Sequence, residues 1–170
     1  MRMAKVLLYA LLLLTTAVGC STVTDDDDEV KEYVRVGDRL PVFTVETVNS
    51  DGTAGVFSSD RLMGETIIVF FHTTCPDCQR DLPKLDSYYR QHRGDDGFQL
   101  VAISRAEGAE SVAAYWKEHD LTMPYSAQTD RRVYDLFASA MIPRVYYCTA
   151  QGIVTRIDIE KVTIPFSPHP

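Results

Sequence analysis

Thr66-Ile67-Ile68-Val69-Phe70-Phe71-His72-Thr73-Thr74-Cys75-Pro76-Asp77-Cys78 decides how the rest of the chain is read. Five consecutive apolar residues after Thr66 predict a strand covered on both faces. The residues after the cysteines predict a helix from Pro76 to about His92, with Leu82, Leu85 and Tyr89 at spacings of three and four and a kink at Pro83. A strand that ends in Cys-x-x-Cys and turns into a helix lets one thiol attack a disulfide while the other releases the adduct. Cys75 falls at the helix N-terminus, where free N–H groups and the positive end of the dipole favour thiolate over thiol. Cys78 lies one turn further in, which suits a resolving role. Asp77 adds a negative charge that opposes the thiolate, so a less oxidising couple is expected.

Outward from this stretch, strands and helices alternate. Val42 to Val48 alternates with period two, Asn49-Ser50-Asp51-Gly52 supplies turn residues, and Ala54 to Phe57 returns, predicting an N-terminal β-hairpin. Ser58-Ser59-Asp60 is expected to cap a short helical turn ending at Gly64. Phe98 to Ile103 predicts a second buried strand, and Ala109 to His119 a helix with Val112, Ala113 and Trp116 on one face. Arg131 to Ala140 is expected to be a further helix, broken by Ile142-Pro143. Val145 to Cys148 and Ile153 to Ile159 predict a terminal hairpin. The pattern is an α/β sandwich around a mixed sheet.

The chain has 170 residues and a formal net charge of −7, which suits one compact domain and argues against a nucleic-acid partner. Its first residues are expected to lie outside the fold. Arg2 and Lys5 precede an apolar run, Val6 to Leu14, that is shorter than the roughly 20 residues needed to span a bilayer. Thr15-Thr16-Ala17-Val18-Gly19-Cys20 resembles a bacterial lipobox, with Cys20 as the lipidated residue. Residues 1–19 are thus expected to be a lipoprotein signal peptide, and 20–34, with Asp25 to Glu29, an acidic flexible tether. The globular domain is expected over 35–163 and a proline-rich tail over 164–170. Export puts the dithiol where a disulfide can persist.

Gly37-Asp38-Arg39-Leu40-Pro41-Val42-Phe43, the Phe70-to-Cys78 stretch and Ile142-Pro143-Arg144-Val145-Tyr146-Tyr147 occur in the order and spacing of thioredoxin-like proteins. Together they resemble the extracytoplasmic TlpA/ResA-type thiol–disulfide oxidoreductases. The resemblance implies a thioredoxin-like three-layer sandwich, a central mixed sheet flanked by helices. It implies a cis Ile142-Pro143 peptide facing the cysteines, with Ile142 and Pro143 binding substrate backbone. It implies exchange of the Cys75/Cys78 dithiol with disulfides of extracytoplasmic proteins, in the reducing direction, with no organic cofactor. An upstream membrane electron donor and a lipid anchor in the bacterial cell envelope, facing the periplasm or cell surface, complete that expectation. Thioredoxins bury an aspartate six residues before the first cysteine, where this chain has Val69. Relatives often carry an acid three residues after the second cysteine, and Asp81 stands there as the candidate for assisting ionisation of Cys78; a solvated first-turn aspartate is the other reading.

Other chemistries have weaker support. His72, Cys75 and Cys78 write His-x-x-Cys-x-x-Cys, but zinc requires further ligands, and His92, His119 and His169 lack ligand spacing. No metal is expected. A thiol peroxidase would use a Thr-x-x-Cys frame, which neither Thr73 nor Thr74 satisfies. A non-enzymatic module using the dithiol for copper or a partner is the remaining alternative. Cys148 reads as a small buried hydrophobe.

Overall fold

The computed structural model describes residues 30–164. The expected signal peptide, Cys20 and most of the acidic tether and proline-rich tail lie outside the described residues. Seven strands form one mixed sheet in the order β2-β1-β5-β4-β3-β6-β7. They are β1 (Thr44–Val48), β2 (Ala54–Ser58), β3 (Thr66–Phe71), β4 (Gln99–Ser104), β5 (Tyr125–Ser126), β6 (Arg144–Cys148) and β7 (Val154–Ile159). Two helices, α1 (Pro76–His92) and α2 (Ala109–Glu118), connect β3 to β4 and β4 to β5.

The continuous apolar run becomes the strand with most to bury. β3 is buried along its whole length, parallel to β4 on one side and antiparallel to β6 on the other. Its side chains alternate between the two faces. Phe71 packs its ring 5.0 Å from Trp116 of α2, while Phe70 lies 4.8 Å from Phe137 and 5.3 Å from Tyr134. Each such buried ring contributes on the order of 2–3 kcal/mol. α1 buries Cys78, Asp81, Leu82, Leu85 and Asp86. The Asp86 carboxylate accepts N–H bonds from Thr122 at 2.5 Å and Met123 at 2.7 Å, fastening α1 beside the segment that follows α2. Gly64 and Gly97 meet backbone to backbone before β3 and β4. A Cβ on Gly64 would sit 2.5 Å from the Gly97 carbonyl oxygen, so a side chain there would push the two strands apart.

The N-terminal hairpin forms as expected, with Gly52 at φ +79° donating its N–H to Asn49. Three local expectations change. The stretch after Ser58 contains turns and bends but no helix. Residues 131–140 hold only a 3₁₀ turn, Tyr134–Leu136. Helical hydrogen bonds are diverted there: the Phe137 carbonyl accepts from Tyr33 and Val34, and Ser139 exchanges bonds with Lys31. The same contacts show residues 31–34, placed by charge pattern in the tether, lying against this segment with Val34 buried. A strand without any sequence expectation, the two-residue β5, joins the hairpin to the central strands through Val48 and Ala102, a pairing too short to leave a periodic signal.

Candidate active site

The site lies where β3 ends. Cys75 is the N-cap of α1 in extended backbone (φ −78°, ψ 119°), with Pro76 in the first turn. A proline there is compatible with the helix because its missing N–H would have no intrahelical partner. The Cys75 N–H returns to the His72 carbonyl at 3.1 Å, so the connector between strand and helix is tightly folded. The Cys75 sulfur accepts from the Cys78 N–H at 3.4 Å and lies 3.6 Å from the Ile142 carbonyl oxygen. Cys75 is half-buried, Cys78 fully buried, and both thiols are free.

The Ile142–Pro143 peptide is cis. The structure therefore brings Cys75, Cys78, Ile142 and Pro143 together. The Pro143 carbonyl in turn accepts from the Glu160 N–H at 2.8 Å, and the Glu160 carbonyl accepts from Arg80 at 2.7 Å. The loop before β6 is thereby linked to the first turns of α1.

Burial pushes the Cys78 thiol far up, reinforced by its interaction with Cys75; a backbone hydrogen bond from His72 and the positive charge of Arg105 act in the opposite direction. Resolution of a mixed disulfide requires this thiol to lose its proton in a nearly dry setting. Val69, at the position where thioredoxins keep an acid, is fully buried between Ala102 and Val145.

Asp81 is committed elsewhere. Its Oδ1 accepts from Arg80 at 3.1 Å and Lys84 at 2.6 Å, and its Oδ2 from Arg80 at 2.7 Å and the Val162 N–H at 3.0 Å. Burial alone would raise its pKa, but these donors outweigh it and hold the carboxyl at about 2. The side chain is buried rather than a solvated first-turn aspartate, and it faces the C-terminal segment.

The acid bonded to the connector is Glu107, which sequence reading did not single out. It follows β4, is buried, and accepts from the Thr73 N–H at 2.8 Å and from the Thr73 hydroxyl. Gln79 fixes the other side by donating to the Thr73 carbonyl at 2.7 Å. His72 is half-buried, its Nδ1 3.6 Å from Glu107 and within reach of the Thr74 N–H and hydroxyl at 3.2 and 3.0 Å. A lone glutamate in a loop gave no periodic or spacing signal by which to find it.

Comparison with known proteins agrees with the fold and the dithiol. Residues 36–157 match the AhpC/TSA family. The thiol-disulfide oxidoreductase ResA of Oceanobacillus iheyensis is 28% identical over 149 residues, covering 86% of this chain and 76% of that one. Its namesake in Bacillus subtilis is 26% identical, covering 86% and 79%. The crystal structure of StoA from Bacillus subtilis superposes with a TM-score of 0.58 at 24% identity, covering 72% of this chain and 90% of that one. The chain belongs to the AhpC/TSA family and is a thiol–disulfide oxidoreductase with a thioredoxin-like fold.

Proposed function

We propose that the protein reduces disulfides of other extracytoplasmic proteins, tethered to the bacterial cell envelope by a lipid on Cys20. Cys75 is the attacking thiol. Its thiolate displaces one sulfur of the substrate disulfide, leaving a Cys75–substrate mixed disulfide and a substrate thiolate that takes up a proton. The Cys78 thiolate then attacks the Cys75 sulfur, forming the Cys75–Cys78 disulfide and releasing the second substrate thiol. Two electrons pass to the substrate, and an upstream membrane donor of dithiol electrons restores the pair. Ile142 and Pro143 form the platform against which the substrate backbone lies.

The observation that carries this reading is the position of the Cys75 sulfur. It sits at the start of α1, between the Cys78 N–H and the Ile142 carbonyl, so attack, resolution and substrate docking converge on one atom. Asp81 is assigned to fastening α1 rather than to proton transfer, because its oxygens are already taken by Arg80, Lys84 and Val162. The lipobox-like run ending at Cys20 supports the anchor, and the extracytoplasmic resemblance supports the reducing direction.

The purified dithiol form should reduce a disulfide-bonded model protein, losing two thiols for each substrate disulfide opened. Cys75→Ser should abolish the reaction. Cys78→Ser, expressed in the native host, should retain substrate proteins as mixed disulfides on Cys75, identifiable by mass spectrometry after non-reducing purification. Absence of both reduction and trapped partners, or multiple turnover of hydrogen peroxide, would overturn the proposal in favour of a binding module or a thiol peroxidase.

A further inference from the structure

Three carboxylates stand around the dithiol, and two are neutralised by bases. Asp77 pairs with Arg80, and Asp81 with Arg80 and Lys84. Glu107 differs. Its side chain is 5% exposed, and its two oxygens are held by the neutral donors of Thr73. The nearest basic group is His72 Nδ1 at 3.6 Å, but the Thr74 N–H is directed at that same nitrogen. At 3.6 Å that nitrogen also lies beyond hydrogen-bond distance of the carboxylate, and no Lys or Arg pairs with Glu107 among the described residues.

We propose that Glu107 sets the Cys75–Cys78 couple toward the reducing side, by holding a buried negative charge, unpaired with any Lys or Arg, against the loop that carries Cys75. This rests on the exchange reading above and adds the residue that gives it direction. The carboxylate is bonded to Thr73, two residues before Cys75, and two Cα–Cα steps keep those residues within about 8 Å of each other. The charge therefore lies on the order of 10 Å from the Cys75 sulfur. At an effective dielectric constant of about 20, a unit charge at that distance changes an equilibrium constant by about tenfold.

The sign follows from where charge appears. A thiolate on Cys75 exists only in the reduced protein, and the disulfide carries none. A neighbouring carboxylate therefore disfavours the reduced form and drives the couple to give up its electrons. Arg105 opposes this from the end of β4. Its guanidinium rests 5.2 Å from the centre of the Tyr134 ring, and no carboxylate pairs with it among the described residues. The remaining ionisable neighbours, Cys78 on α1 and Tyr115 on α2, are neutral in the resting site because burial raises both. The sequence-level expectation that Asp77 sets the poise is thereby transferred to Glu107, because Arg80 cancels the Asp77 charge.

The test is the equilibrium of the protein with glutathione, in which the protein dithiol and glutathione disulfide exchange for the protein disulfide and two glutathione thiols. It is measured at pH 8, by alkylation and mass spectrometry. Glu107→Gln should favour the reduced protein three- to tenfold over wild type, up to about 30 mV. Glu107→Ser, the second neutral variant should the first fail to fold, carries the same expectation. Glu107→Asp and Asp77→Asn should each stay within twofold of wild type. Thr73→Val, which removes the hydroxyl donor and keeps the charge, should also stay within twofold. Glu107→Gln and Glu107→Ser within twofold of wild type overturn the inference, as does a Thr73→Val shift equal to that of Glu107→Gln. A wild-type protein that never exchanges with glutathione overturns the exchange reading itself, and this inference with it.

Discussion

Asp81 shows how much a side chain's partners decide. A carboxylate buried at the start of a helix is costly unless bonded, and this one has four donor contacts from three residues. Its folded pKa of about 2 lies below the roughly 3.9 of an unfolded aspartate. Its contribution is therefore fully present above about pH 4 and is lost as pH falls toward 2. Asp81→Asn should destabilise the fold by about 2 kcal/mol at pH 7, with the difference closing below pH 2. Denaturant titrations of both proteins across that window check it; a constant difference at all pH values would show that packing, not charge, is responsible. The family resemblance, through the position three residues after Cys78, put this residue forward as an aid to Cys78. Its partner Val162 lies 81 residues away, beyond any local pattern.

At the scale of elements, the strand–turn–helix unit from Thr66 to His92 and the two hairpins were readable because their signals are local. Period-two alternation, turn residues and a continuous apolar run need only neighbours in sequence. The segment 131–140 was not readable. Val133, Phe137 and Ala140 have helical spacing, yet only a 3₁₀ turn forms, and past it the Phe137 carbonyl and Ser139 bond to residues 31–34 instead of continuing a helix. That docking also holds Glu32 against Arg144, the fully buried base that follows Pro143; their side chains meet at 3.4 Å. Arg144 otherwise donates to the Ala140 carbonyl at 3.1 Å, and its Nε has no partner. Glu32→Gln should therefore cost about 1 kcal/mol, since a charge-assisted bond to a buried guanidinium is weakened while the partly exposed Glu32 side keeps the loss small. Thermal and denaturant unfolding measure this, and a neutral result would mean that residues 31–34 dock through Val34 and backbone bonds alone.

At the scale of the whole molecule, the sheet separates two kinds of cysteine. Cys75 is at the end of β3, half-buried, while Cys148 is buried on β6 between β3 and β7, its thiol pushed up to about 12 by burial. At pH 8 only about one Cys148 in ten thousand carries the reactive thiolate. Iodoacetamide should label Cys75 in the native protein, whereas Cys148 should react only as fast as the domain unfolds. Peptide mapping over a denaturant series tests this, and rapid native labelling of Cys148 would show local opening of β6. By itself the sequence determined the dithiol, its seat at a helix N-terminus, the buried central strand and the alternation that makes the fold α/β, because each is written in residues close together. Only the tertiary structure decided which acid serves which group. Glu107 reaches Thr73 across 34 residues and Asp81 turns to Val162, and such pairings depend on how strands and loops are brought together, which local spacing does not encode.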